Sequence, residues 1–130
     1  MGAVAAMAVD LSRRPRQLQR MIYKLFLASE WAKLQADGAT HGAPIDLADG
    51  YIHFSDRGTV AETAEKYFAD VADLWLISVD PDRLGDDLRW EAARGGALFP
   101  HLYRDLRLPE VADATPVPLV DGRHHFPPLA

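Results

Sequence analysis

Cysteine is absent from the chain, and three kinds of chemistry go with it: a disulfide framework, a thiolate nucleophile and a zinc ribbon all need thiols. Any reacting group must come from His, Glu, Tyr, Ser or Arg. Positive charge is also in short supply, with 14 Lys and Arg against 19 Asp and Glu and a formal net charge of −5. That balance argues against gripping an extended nucleic acid, which requires concentrated positive charge. No apolar run approaches the roughly 18–20 residues that a membrane span needs. Met1 to Val9 is small and apolar, but Arg13, Arg14, Arg16 and Arg20 follow it rather than precede it, which is the wrong order for a secretory signal. The expectation is a soluble, cytoplasmic protein. The phosphate-binding Gly-x-x-x-x-Gly-Lys loop, the Gly-x-Ser-x-Gly elbow and the His-Glu-x-x-His pair are missing as well, as are internal repeats and low-complexity stretches.

What is present suits one domain. At 130 residues and 48% hydrophobic, the chain can bury a sizeable core. Residues 1–20 have no sustained period and read as an appended, poorly ordered extension, with Met21 a plausible alternative start. Residues 21–130 read as a single α+β domain ending in a Pro-rich tail. Ile22, Tyr23, Leu25, Phe26 and Leu27 predict a first buried strand, followed by a helix capped by Ser29 and ended by Gly38. Turn-forming residues from His41 to Gly50 predict a loop. Thr59 and Glu62 have capping-box spacing ahead of an amphipathic helix carrying Ala64, Tyr67, Phe68 and Val71. Leu74 to Val79, between Asp73 and Asp80-Pro81, predicts a central strand, and Leu88 to Ala92 and Phe99 to Tyr103 predict two more. In the tail, Val111, Thr115, Val117, Leu119 and Val120 alternate with prolines, which confines any strand there to a sheet edge.

Several of these strands carry polar groups at every second position. Tyr51, His53 and Ser55 project to one side and Ile52 and Phe54 to the other. The same alternation separates Arg89 and Glu91 from Leu88 and Trp90, and sets His101 and Tyr103 together against Leu102. His53 can hold a ribose hydroxyl or move a proton, yet a strand histidine serves equally as a hydrogen-bonded structural group. Ser55 either orients a ligand or ends its strand and helps cap the next helix. Tyr51 can pack its ring on a ligand or be half-buried for no catalytic reason. Glu91 beside Trp90 is either a carboxylate whose pKa an apolar wall raises or a partner for Arg89 or Arg94. Arg94-Gly95-Gly96 reads as a loop whose amides and guanidinium can approach a phosphate. His41, His53, His101, His124 and His125 show no metal-ligand spacing, so no metal is assigned, and a metal-assisted hydrolase stays the least favoured reading.

The succession Tyr51-Ile52-His53-Phe54-Ser55, Thr59 to Phe68, Leu88-Arg89-Trp90-Glu91, Arg94-Gly95-Gly96 and Phe99-Pro100-His101-Leu102-Tyr103 closely resembles the bacterial family known as domain of unknown function 952. The resemblance spans about Ile22 to Val111. It implies a compact relative of the ADP-ribosyltransferase fold, a split and mostly antiparallel β-sheet with two main helices that clasps NAD in its central cleft. His53-Phe54-Ser55 is similar to the His-hydrophobic-Ser strand of RNA 2′-phosphotransferases of that fold. By this likeness His53 takes the middle position of the cleft and Glu91 the late one. The early position lacks its usual His or Arg, because Tyr23-Lys24-Leu25 offers neither.

The resulting expectation is a cleft that binds a small nucleotide such as NAD or an ADP-ribose-bearing ligand, with ADP-ribosyl or related transfer as a further step. In it Glu91 and His53 are the catalytic candidates, and Tyr51, Ser55, Arg94, His101 and Tyr103 contact the ligand. The alternative is a non-catalytic sensor or interaction domain that keeps the cleft.

Overall fold

A computed structural model of the chain describes residues 21–129. The expected extension at residues 1–20 lies outside the described residues. The rest is an α+β arrangement of several small antiparallel sheets with two main helices, and the sheets follow from where apolar residues run and where they stop.

Strand β1 (Ile22–Leu27) pairs antiparallel with β4 (Leu74–Val79), which pairs in turn with β8 (Val111–Val117). β4 is the middle strand, as its unbroken apolar run predicts, and side chains on both its faces are buried. β8 lies on the edge, where Pro116 opposite Trp75 costs no ladder bond on the outer side. A second three-stranded sheet has β6 (Leu98–Leu102) between β3 (Ile52–His53) and β5 (Leu88–Ala92). Two short pairs complete the set, β2 (Ala39–Thr40) with β7 (Leu106–Arg107) and β9 (Leu119–Val120) with β10 (Arg123–His124).

The two larger sheets meet at one antiparallel bridge, where Tyr23 and Ser55 exchange both backbone hydrogen bonds at 2.8 Å. Beyond it β1 and the segment before Ser55 part company. Since Tyr23 turns its amide and carbonyl toward Ser55, alternation turns those of Leu25 to the same edge. The gap that opens there positions the site.

Two apolar clusters flank the β1–β4 pair. One gathers Ile22, Phe26, Ile77 and Val79 with Leu34 of helix α1 (Ala28–Asp37) and with Ile52 and Phe54. The other gathers Tyr23, Leu25, Leu74 and Leu76 with Val60 and Ala64 of helix α3 (Val60–Tyr67). One helix therefore covers each face, and every fully buried Leu, Ile or Phe contributes about 1.5–3 kcal/mol.

Three local expectations need correction. Helix α1 starts two residues earlier than a Ser29 cap would place it: Leu27 is the N-cap, and the Glu30 carboxylate accepts the Leu27 amide at 2.8 Å, so the Ser29 hydroxyl is not needed. Gly38 ends that helix with φ +80°, as expected. The stretch expected as a loop contains a short helix, α2 (Pro44–Asp49). Pro at its first position, Asp46 reaching back to the Ala43 amide at 2.7 Å and Gly50 in the left-handed region are all terminus residues. A helix of six residues is nearly all terminus, so its composition imitates a loop. Ahead of α3, the Thr59 hydroxyl donates to the Asp56 carboxylate at 2.9 Å instead of closing a capping box with Glu62, and the helix stops at Tyr67, short of Val71.

Candidate functional site

The gap between β1 and β3 borders a cavity of about 720 Å³, to which α1, α2, α3, β5 and β6 also contribute lining residues. That volume lies in the range of small-molecule and cofactor sites, about 300–1,000 Å³. Its wall combines apolar side chains, among them Leu25, Phe54, Phe68 and Phe99, with a polar strip built by Tyr51, His53 and His101.

The polar strip rests on a buried carboxylate. Asp46 lies beneath the cavity wall, where its Oδ1 accepts from the His53 backbone amide at 2.9 Å and lies 2.6 Å from His53 Nδ1. Its Oδ2 accepts from the Ala43 amide at 2.7 Å and from Lys24 Nζ at 2.7 Å. Burial by itself would raise the Asp46 pKa, but the His53 hydrogen bond and the Lys24 ammonium together outweigh it and hold the carboxyl below its usual range. At Lys24 burial wins over the attraction of Asp46, and the amine is pushed down. The 2.7 Å contact and the donors converging on Asp46 decide the matter in favour of an ionised pair.

His53 is engaged at both nitrogens, since Nε2 lies 2.9 Å from Asp49 Oδ2. Both ring nitrogens therefore face carboxylate oxygens, which only accept. Tyr51 stacks on His101 with centroids 4.3 Å apart at 29°, and its ring also lies 4.7 Å from that of His53 and 5.2 Å from that of Tyr103. His101 is only 4% exposed. Its Nδ1 lies 2.8 Å from Glu91 Oε1, the same oxygen that accepts the Tyr103 hydroxyl at 2.6 Å. With the carboxylate fixing the proton on Nδ1, a neutral His101 ring carries an acceptor at Nε2.

A family model described as protein of unknown function (DUF952) matches residues 25–114, most of the chain. The chain belongs to the DUF952 family. Among solved structures, this DUF952 chain is similar to the crystal structure of protein CC0527 from Caulobacter crescentus, at 45% identity over 81% of this chain and 93% of that one, with a TM-score of 0.78. The solution NMR structure of the same Caulobacter protein matches at 44% identity, covering 80% and 90%, with a TM-score of 0.73. A search of curated proteins found no match.

Of the residues singled out in the sequence, this DUF952 structure places Tyr51, His53, Ser55 and His101 on the cavity wall. Glu91 and Tyr103 are not among the lining residues; Glu91 is hydrogen-bonded to His101, and Tyr103 donates to Glu91. Arg94 begins a short 3-10 turn, Arg94–Gly96, and its side chain lies outside the described residues. Ser55 ties its hydroxyl to Thr63 Oγ1 at 3.1 Å, in the body of α3, so it braces the helix and does not cap it.

Of the two readings of Glu91, neither the apolar wall nor a pairing with Arg89 describes what it meets. Trp90 points away and is 44% exposed, and the Tyr103 and His101 hydrogen bonds lower the Glu91 pKa where burial was expected to raise it. Arg89 is not its principal partner, for the guanidinium lies 4.7 Å over the Tyr103 ring. Sequence reasoning missed Lys24, Glu30, Asp46 and Asp49. A lysine at the centre of a buried strand was the one available signal, because a buried ammonium requires a buried carboxylate.

Among the described residues no group of three or more His, Asp and Glu is placed to hold a metal ion, and no helix is long and apolar enough to cross a membrane.

Proposed function

We propose that the cavity binds a nucleotide of the NAD or ADP-ribose-bearing class, its ring and ribose inside and its phosphates at the mouth. The observation that carries this reading is the cavity itself, a mostly apolar hollow of cofactor size with the rings of Tyr51, His53 and His101 clustered on one wall. Tyr51 offers a face for a flat ring, while the His101 acceptor and the Asp49 carboxylate suit ribose hydroxyls. The parting of β1 from β3 beyond Tyr23 and Ser55 supports kinship with the split sheet of ADP-ribosyltransferases. Lys24 then stands on the early strand where that fold carries His or Arg.

Transfer of ADP-ribose is the finer reading, with Glu91 stabilising positive charge on the sugar as nicotinamide leaves, and His53 orienting the ligand. A specific observation favours the second reading, binding without transfer by a sensor domain. One Glu91 oxygen already accepts from both Tyr103 and His101, and Glu91 is off the cavity wall.

Calorimetric titration with NAD, ADP-ribose and nicotinamide tests the proposal, and an absence of heat from all three at about millimolar concentration overturns it. Release of nicotinamide from NAD, abolished in Glu91→Gln with binding retained, decides for transfer. Binding with no release by either protein decides for the sensor.

A further inference from the structure

The ionic groups on the cavity wall are unequal in sign. Among the described residues, Glu30 and Asp49 bring carboxylates to it, whereas Lys24 brings the one ammonium. That ammonium is already matched by Asp46 at 2.7 Å and is withdrawn to 7% exposure, so its charge is spent inside the protein. Glu30 uses one oxygen on the Leu27 amide and Asp49 one on His53, and each carboxylate has a second oxygen. Even with His53 protonated between Asp46 and Asp49, three carboxylates stand against two cations. Tyr51 and Phe68 add ring faces, whose negative quadrupole attracts positive charge, and the surrounding apolar wall weakens screening.

We infer that the part of this cavity bordered by Glu30 and Asp49 selects a flat organic cation and excludes an anion. A pyridinium-like ring suits this lining: Tyr51 and Phe68 offer ring faces, Glu30 and Asp49 offer negative charge, and Leu25 and Phe99 offer apolar contact. A phosphate in the same place would face two carboxylates with no uncommitted cation. This rests on the nucleotide reading for the rest of the ligand, though not for the charge of the enclosed part. Applied to NAD, it makes the oxidised, positively charged ring the preferred form over the reduced, neutral one.

The experiment is calorimetric titration of the full chain with N-methylnicotinamide cation, uncharged nicotinamide, oxidised NAD, reduced NAD and ADP-ribose. The expected result is about tenfold tighter binding of each charged ring than of its uncharged counterpart. Glu30→Gln and Asp49→Asn should each reduce that preference several-fold while circular dichroism and thermal unfolding report an intact fold. Equal affinity for charged and neutral rings, or ADP-ribose binding as tightly as oxidised NAD, overturns the inference and leaves the nucleotide reading standing. Binding of the free cation without binding of any nucleotide does the reverse. Silence from all five ligands overturns both.

Discussion

Lys24 Nζ and Asp46 Oδ2 meet at 2.7 Å with side chains 7% and 0% exposed, bridging the first strand to a helix twenty residues later. Asp46 also holds His53 by backbone and ring, so this pair fixes the distance between the two lips of the cavity. Removing one partner strands a buried charge, which costs about 3–5 kcal/mol, whereas removing both costs much less. Asp46→Ala should therefore lower the unfolding free energy in urea by that amount, and adding Lys24→Met should recover a substantial part of it. Additive losses in the double-mutant cycle would show that the pair is not coupled.

Gly42 tests the same carboxylate from the backbone side. A Cβ at this position would clash with the Asp46 side chain, and φ is +102°, a conformation that L residues avoid. At Gly38, φ is +80° but the space beside it is open. Gly38→Ala should cost about 1 kcal/mol from the backbone alone. Gly42→Ala should cost clearly more and displace Asp46, seen as a changed chemical shift of the His53 amide. Equal losses in the two variants would mean that Asp46 moves aside freely.

How much of this was legible in the sequence depends on the range of the interactions. β4 and β5 lie where their apolar patterns placed them, because alternation and burial are local properties of a strand. The side-by-side placement of His101 and Tyr103 followed from the same period of two. Their joint partner was not legible: local spacing offered Arg89 or Arg94 for Glu91, and only the pairing of β5 with β6 brings its carboxylate to His101 and Tyr103. Asp46 was hidden for a different reason. Its role depends on α2 folding back so that one carboxylate meets Lys24 from a strand more than twenty residues earlier, and nothing in the local spacing encodes that return. The apolar-wall reading of Glu91 fails for a related cause: Trp90 is adjacent in sequence, but strand geometry sends it to the opposite face.

The Tyr103 hydroxyl and Glu91 should titrate as linked groups. Tyr103 donates to Glu91 Oε1 at 2.6 Å, which holds the carboxyl below its ordinary range and the phenol above its own. Tyr103→Phe removes the first of the two hydrogen bonds that lower the Glu91 pKa, and His101 retains the second. Carboxyl-carbon NMR should show the Glu91 midpoint moving up in Tyr103→Phe without a change of fold. An unmoved midpoint would mean that the phenol is not bonded to the carboxylate in solution.

Arg104 and Glu110 supply the clearest dependence of stability on pH. The guanidinium donates to both Glu110 oxygens, at 3.0 and 2.7 Å, and Glu110 also accepts the Arg107 amide at 2.9 Å. The Arg104 hydrogen bonds outweigh burial and lower the Glu110 pKa from 4.5, the value expected of a free side chain. A carboxyl depressed in the folded state contributes stability in full above its unfolded pKa and loses it as pH falls through the folded one. Glu110→Gln should therefore cost about 1–3 kcal/mol near neutrality, the worth of charged hydrogen bonds in a partly buried site. The gap between wild type and variant should stay constant down to about pH 4.5 and close below it, as both proteins come to carry an uncharged group. Urea unfolding at a series of pH values measures that gap directly. A difference that persists unchanged well below the folded pKa would assign the cost to lost packing, and one absent at neutral pH would mean that the bidentate pair adds nothing to the fold.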